Sequence, residues 1–482
     1  MPLLFEVPNW AEHLPAIEFN EGQKWTWGDL LRSVTADVEE IGKVETDTIT
    51  LFANDSLICL YGFLVASSFA VTIRMLDEEL GAPMRPSKFH RVIARRIESA
   101  CSGEGKIKLP SPNSHGIQRD ADCTVELRTS GSSGSPKPVR ISASALQFQG
   151  KSVADNLSLS HDDRQLLYMP LNYVYGLSVV LTWLSSKSVL VVSNYEVSRA
   201  SSFFQQLIER KITVFSGVPY TYALLRKWGM RNLKDSDLRL LTQAGGKLKL
   251  RDRDAIRTLS PSIDLIIMYG QTEFGGRIAQ FRPGDDPEQY DCVGELLEGI
   301  RAVIHEPDHH GHGLIYIASP SVCENAEATL DSVRHEGVQY FSTGDYGAYV
   351  EGRLHVSGRN QGFVKLGGRR IPSLPLERLI EDALPGAECF IAADDGRQER
   401  LVITIFNQTP LPIDSQLGAF RFLLSHTKSD DKLASLLQAV PLKLIVVVGE
   451  VPRLVNGKPA LSEVKQIVEE AKDVKDSIHL WL

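Results

Sequence analysis

Leu127–Lys137 reads LRTSGSSGSPK, and the interpretation of this stretch decides how the whole chain is understood. Seven of its eleven residues are Ser, Thr or Gly, and it closes on Pro136-Lys137. Small polar side chains compete with regular backbone hydrogen bonding and Gly gives up order, so neither a strand nor a helix suits it. The segment instead offers N–H groups, hydroxyls and one ammonium that can face an anion, a polyphosphate being the obvious one. It is not a Walker A loop: Gly131 and Gly134 stand too close for GxxxxGK[ST], and Pro136 precedes Lys137. A flexible Ser/Gly linker has the same composition, so these residues alone leave both readings open.

Four downstream segments break the tie. In order they are Tyr269-Gly270-Gln271-Thr272-Glu273, Ser342-Thr343-Gly344-Asp345, Gly358-Arg359, and Val451-Pro452-Arg453-Leu454-Val455-Asn456-Gly457-Lys458. With the first stretch they make five motifs in the order and spacing of one family. From about Trp25 to about Leu461 the sequence resembles the adenylate-forming superfamily of acyl- and aryl-CoA synthetases, adenylation domains and luciferases.

The bulk properties agree. A chain of 482 residues is too long for one simple core and implies two or more domains. Its 43% hydrophobic and 23% charged residues are ordinary for a globular protein. The net charge of −8 argues against general nucleic-acid binding, which needs a concentrated basic surface. The N-terminus, MPLLFEVPNW, lacks the basic start and apolar core of a signal peptide. Six scattered cysteines (Cys59, Cys101, Cys123, Cys292, Cys323, Cys389) form no CxxC pair. That pattern fits reduced thiols and a cytoplasmic location rather than a disulfide framework or a zinc site. Ser56–Ile73 is the longest uncharged run. Polar residues dilute it and β-branched residues gather at its end, which predicts a buried helix passing into a buried strand.

In the middle third, apolar runs at Ser188–Ser193, Thr213–Ser216, Leu238–Gln243 and Leu265–Tyr269 alternate with helical patterns. One predicted helix is Arg199–Arg210, capped by Ser198, with Phe203, Phe204, Leu207 and Ile208 as its apolar face. Such alternation predicts βαβ units and a parallel sheet, with ligands beyond the carboxyl ends of the strands. The YGQTE segment falls just past one of those ends. After about residue 350 glycines crowd, and strands are predicted at Cys389–Ala393, Leu401–Phe406 and Leu442–Val448. The expected fold class is α/β, with a boundary near Asn360-Gln361. The resemblance implies a large N-terminal domain with parallel βαβ sheets (1–360) and a small mobile α+β domain (361–482) that rotates between two half-reactions.

The resemblance further implies that ATP and Mg²⁺ activate a carboxylic acid as its adenylate, which then meets a thiol. Cations and N–H donors must be preorganised where two anions approach each other. Thr129, Ser130, Gly131, Ser132, Ser133, Gly134 and Lys137 resemble the loop that grips the outer phosphates. Glu273 resembles the Mg²⁺ ligand and Thr272 the residue that touches the α-phosphate. Tyr269 and Gly270 belong beside adenine, with Gly245 and Gly246 passing beneath it. Asp345 resembles the carboxylate that holds both ribose hydroxyls, and Arg359 its partner on ribose or phosphate. Lys458 resembles the lysine that bridges carboxylate and α-phosphate, although N-G-K is otherwise a turn signal with a solvated lysine.

Met169–Leu177, with Tyr173 where many members carry His and with Gly176, resembles the entrance to the acyl pocket. Val218–Tyr222 and Phe274–Arg277, including Gly275, are expected to line that pocket. Lys365, Gly367 and Gly368 are expected to line the thiol tunnel. Three departures from the family pattern are Pro138 in place of a usual Gly, Gln361 where the hinge is commonly Asp or Lys, and Gly313–Pro320 (GLIYIASP), which lacks the usual acidic residue after its Gly.

The acceptor implied first is coenzyme A, with the phosphopantetheine of a carrier protein acting in trans as the nearest rival. A non-catalytic nucleotide-binding protein is a rival from another class, which the presence of Lys458, Glu273, Asp345 and Arg359 argues against. His305, His309, His310 and His312 with Asp308 lack clean ligand spacing and read as a hairpin loop. His161-Asp162-Asp163-Arg164 reads as a loop ahead of a strand.

Overall fold

The computed structural model describes residues 7–19, 23–44, 46–53, 55–76, 87–101, 123–129, 137–193, 200–228, 233–234, 236–258, 263–283, 292–308 and 311–359. Beyond these it describes 363–366, 369–372, 377, 380–381, 384, 387–394, 400–409, 411, 442–452, 463–464, 466–467 and 479–481. The fold is α/β. Contacts divide the chain into one unit of Met1–Val303, Tyr316–Phe341 and Val350–Leu354, and another of Ile304–Ile315, Ser342–Tyr349 and His355–Leu482. Asn360-Gln361, the expected boundary, lies outside the described residues.

The first unit is built on six strands that run parallel. Their spatial order is Asp264–Tyr269, Leu240–Gln243, Val214–Gly217, Arg164–Leu167, Val189–Val192 and Pro15–Phe19. Antiparallel strands flank the set: Gln23–Thr26 on one side, Ala279–Phe281 and then Cys292–Leu296 on the other. Every residue of Val189–Val192, Val214–Gly217 and Leu240–Gln243 is buried. Burial on both faces is why these strands show in the sequence as unbroken apolar runs rather than as alternation. The helix Ala200–Glu209 buries Phe203, Phe204 and Leu207, but Ile208 stands 39% exposed. At 3.6 residues per turn Ile208 falls roughly 90° from the middle of that stripe, so the expected apolar face is one residue too wide.

A second sheet holds Thr48–Phe52, Thr72–Leu76 and Thr124–Thr129 in parallel, with Lys137–Ser142 antiparallel to the last. The uncharged run after Ser56 becomes the helix Ser56–Ala66, buried at nine of its eleven positions, followed by that second strand. The Asp55 carboxylate caps the helix by accepting from the N–H groups of Leu57 and Ile58. No helix among the described residues is long and apolar enough to cross a membrane. Between the sheets' supporting helices the Trp27 and Trp183 rings stack 4.8 Å apart, and the Trp183 indole donates to the Ala16 carbonyl.

The segment before Arg164–Leu167 carries a structural ion pair. Asp163 is buried, and Arg239 donates to it bidentately through Nε (2.7 Å) and Nη2 (2.6 Å). The Ser160 N–H and the Thr213 hydroxyl complete its shell. Burial pushes the Asp163 carboxyl up, but Arg239, Ser160 and Thr213 outweigh it and hold it below the usual carboxylate range. A lowered folded pKa means that the contribution is present above the unfolded value of about 3.9 and is lost as pH falls through the folded one. Asp163→Asn is therefore expected to lower stability at pH 7 by about 1–3 kcal/mol and to flatten the acid limb of the curve. Urea midpoints of both proteins at pH 7 and pH 4 check this; parallel acid limbs would remove Asp163 from the account.

The second unit contains the hairpin Phe363–Leu366 with Arg369–Pro372. Its four-stranded sheet is ordered Glu388–Asp394, Arg400–Asn407, Leu442–Val448 and His479–Trp481. Three of these were expected from the sequence. His479–Trp481 was not, because three residues are too short a run to show a period.

Candidate active site

Register sets the site. Gln243 pairs with Gly217 on one side and Ile267 on the other, so two parallel strands end level and their neighbour Asp264–Tyr269 runs two residues further. Beyond those ends lie Val218 and the helix Pro219–Trp228, then Ala244-Gly245-Gly246, then the YGQTE turn. Ligands gather at such strand ends because loops diverge there and leave a crevice.

The YGQTE turn is a tight chain reversal. Tyr269 is the last residue of its strand, and its carbonyl accepts from the Ile278 N–H at 2.8 Å. Gly270 has no room for a side chain, since a Cβ there would stand 2.0 Å from the Gly276 carbonyl oxygen. Thr272–Phe274 form one 3₁₀ turn, and Gly275 caps it in the left-handed region at φ 75°. The Gly276 N–H closes the reversal onto the Gln271 carbonyl at 3.0 Å. Thr272 and Glu273 remain half-buried on the outer rim. The Glu273 backbone carbonyl is tied to the Cys323 N–H, while its carboxylate meets no ion-pair partner among the described residues. An unpaired hard-oxygen donor at this place suits Mg²⁺. Cys323 beside it is inert: burial first, then the Glu273 charge, pushes its thiol up to about 11.

One residue with no motif around it holds the reversal. Gln149 is buried in the middle of the helix Ala143–Asn156. Its Nε2 donates to the carbonyls of Phe274 (3.3 Å) and Arg277 (2.8 Å) and to Ser321 Oγ (2.7 Å), and its Oε1 accepts from the Arg277 N–H (3.0 Å). The signal for it was a polar residue on the helix face that also carries Leu146, Gly150 and Val153, all buried. Gln149→Met keeps the volume but orphans the Arg277 carbonyl and N–H, while the Phe274 carbonyl keeps the Ser321 hydroxyl. Each orphaned buried group costs about 1–3 kcal/mol. The variant is expected to unfold at lower urea and to lose turnover with acid and ATP. Turnover unchanged at full occupancy of both would show that the turn keeps its shape without Gln149.

Arg277, at the end of the reversal, is 2% exposed. Its Nη1 donates to the Gly276 carbonyl, and its guanidinium lies 4.1 Å from the centre of the Tyr175 ring. Burial lowers its pKa, opposed by Tyr175 and Tyr173. Tyr175 is fixed in turn, its hydroxyl donating to the Thr242 carbonyl at 3.0 Å. Tyr173 is the N-cap residue of the helix Val174–Ser186 and its phenol is pushed up by burial. Gly176 lets that helix lie against Pro170, whose carbonyl oxygen is 2.3 Å from where a Cβ would stand. Val218 is buried, and Gly245 and Gly246 are progressively exposed. Val218 and Gly245-Gly246 follow the carboxyl ends of Val214–Gly217 and Leu240–Gln243.

Two paired strands flank the Ser/Gly stretch. Thr129 ends the strand Thr124–Thr129 and pairs across the ladder with Lys137, which opens Lys137–Ser142. The stretch therefore joins two strands of one sheet, which rules out a linker between domains. Ser130, Gly131, Ser132, Ser133 and Gly134 themselves lie outside the described residues, as do Gly367, Gly368 and Lys458.

In the second unit Asp345 is buried within the strand Val338–Val350. The Thr343 hydroxyl donates to the Ile315 carbonyl and accepts from the Asp345 N–H, which fixes the backbone at STGD. Arg359 ends the strand Arg353–Arg359, and Lys365 lies in Phe363–Leu366. At the histidine-rich segment the Asp308 N–H donates to the His312 carbonyl at 2.8 Å, and His309 and His310 lie outside the described residues.

The model of the family described as AMP-binding enzyme matches residues 70–325, just over half of the chain. An indoleacetate--CoA ligase of Aromatoleum aromaticum is 27% identical over 356 residues, 70% of this chain and 66% of that protein. A malonate--CoA ligase of Arabidopsis thaliana is 27% identical over 56% of this chain and 48% of its own length. The match thus spans less than two thirds of either relative. The crystal structure of ATP-bound MatB from Rhodopseudomonas palustris shares the fold, with a TM-score of 0.74 at 20% identity over 97% of this chain and 98% of that one.

Proposed function

The chain belongs to the AMP-binding enzyme family, and from that premise we propose that it is an ATP-dependent acid–thiol ligase. A carboxylate oxygen attacks the α-phosphorus of ATP, the bond to the β-phosphate oxygen breaks, and pyrophosphate leaves. The thiol of coenzyme A then attacks the acyl carbon, its proton passes to solvent, and AMP departs. Coenzyme A is favoured as acceptor over a carrier-protein arm because the curated relatives named above are CoA ligases.

The observation that carries this reading is the YGQTE reversal, fixed by Gln149 beyond the strand ends, with Thr272 on its rim beside a Glu273 carboxylate that has no ion-pair partner among the described residues. Glu273 would hold Mg²⁺, which when bound neutralises charge on the phosphates. Thr272 is assigned to the α-phosphate, and Tyr269, Gly270, Gly245 and Gly246 to adenine. Thr129, Ser130–Gly134 and Lys137 take the outer phosphates, and Asp345 and Arg359 the ribose. Tyr173, Gly176, Val218 and Gly275 border the acid, while Lys365, Gly367 and Gly368 border the thiol. Lys458 neutralises the two anions as they meet. Residues 1–360 and 361–482 act as body and lid.

The test is pyrophosphate release from ATP across a panel of short, long, aromatic and amino acids, with and without coenzyme A. Release that needs one acid class and turns over faster with coenzyme A is the expected result. Release that stalls after one adenylate and ignores coenzyme A would transfer the second step to a carrier protein. ATP binding without release for any acid would overturn the ligase assignment.

A further inference from the structure

Arg277 carries a charge that the described fold leaves half satisfied. One nitrogen, Nη1, donates to a backbone carbonyl; Nε and Nη2 are buried and find no acceptor among the described residues. Those two N–H groups point the same way from one edge of the guanidinium. It is the edge by which Arg239, in this same chain, takes both oxygens of Asp163. An arginine edge of this shape matches a carboxylate bidentately. The Tyr175 ring under the guanidinium offsets part of its burial, but a ring gives far less than the hydration lost by a buried ion. The backbone of Arg277 is clamped on both sides by Gln149, so the fork is held in place before anything binds.

Resting on the ligase reading, we infer that the acid substrate carries a second carboxylate, and that the Nε/Nη2 edge of Arg277 receives it. The carboxylate being activated is a poor occupant of this edge. A bidentate pair would stabilise both its oxygens in the ground state, when one of them must be free to attack phosphorus. A second carboxylate keeps its charge throughout the reaction, so it can stay paired from binding to release. Its burial against Tyr175 also sets selection: an acid that lacks it leaves the guanidinium unpaired inside the complex.

The experiment uses matched pairs, aliphatic and aromatic dicarboxylic acids against their half-amides, with the full-length protein and ATP. The wild type is expected to release pyrophosphate with kcat/KM about 10²–10³-fold higher for the diacid of the best pair. In Arg277→Met that ratio collapses to near unity, ATP affinity is unchanged, and the unliganded protein melts at the same or a higher temperature. A merely structural arginine would instead lower the melting temperature and leave the ratio intact. Arg277→Lys, which keeps the charge without the fork, recovers part of the ratio. Equal use of diacid and half-amide by the wild type, or a ratio preserved in Arg277→Met, overturns the inference. Should no acid give release, the ligase reading fails by itself, and calorimetry of the same pairs decides for Arg277. Tighter diacid binding to the wild type than to Arg277→Met upholds the site, and equal binding refutes it.

Discussion

Lys458→Ala is expected to slow acid-dependent pyrophosphate release by about 10²–10³-fold while leaving ATP binding intact. The reasoning is electrostatic. A carboxylate and a triphosphate repel as they meet, and charge shifts toward the bridging oxygens in the transition state. A preorganised ammonium is worth more there than in the ground state, so its loss appears in kcat rather than in nucleotide affinity. The thioester step, measured from pre-formed acyl-adenylate and coenzyme A, is expected to run at nearly the wild-type rate. An unchanged adenylation rate would overturn the assignment of Lys458. A rise in the Kd for ATP equal to the loss in rate would make the lysine a binding group instead.

Gly270→Ala is expected to be almost as severe for a different reason. A methyl at residue 270 would stand 2.0 Å from the Gly276 carbonyl oxygen and 2.7 Å from the Arg277 Cα, both backbone. The two sides of the reversal must part by roughly 1 Å to reach van der Waals contact, and Thr272 and Glu273 move with them. Misplacing reacting groups by that distance can cost about 10² in rate. The six parallel strands and their core do not depend on this turn, so far-UV circular dichroism is expected to match the wild type. Near-normal turnover in Gly270→Ala would mean that the reversal adapts and that its geometry does not set the rate.

Much of this protein is legible in its sequence. Strands buried on both faces appear as continuous apolar runs, so Val189–Val192, Val214–Gly217 and Leu240–Gln243 fall within the runs expected for them to about a residue. Ile208 was misjudged because the edge of an apolar stripe depends on what packs against it. Gln149 was missed altogether. Its partners lie 125 to 172 residues away in sequence, and no local pattern ties a mid-helix Gln to a turn that distant. Arg277 fell inside a span expected to line the acid pocket, but nothing in the sequence distinguishes it from a solvated arginine.

The sequence by itself carried the family resemblance, and with it the chemistry proposed. That resemblance is legible because it rests on residue types at a fixed spacing, which the order of residues records directly: LRTSGSSGSPK, YGQTE, STGD, NGK. The tertiary structure alone decided which polar groups find partners and which do not. It closed Asp163 with Arg239, braced the YGQTE reversal with Gln149, and buried one edge of Arg277 beside Tyr175 with no acceptor among the described residues. Pairing is a property of segments that meet in space. The cost of a buried unpaired charge exists once burial exists, and burial is set by the whole fold.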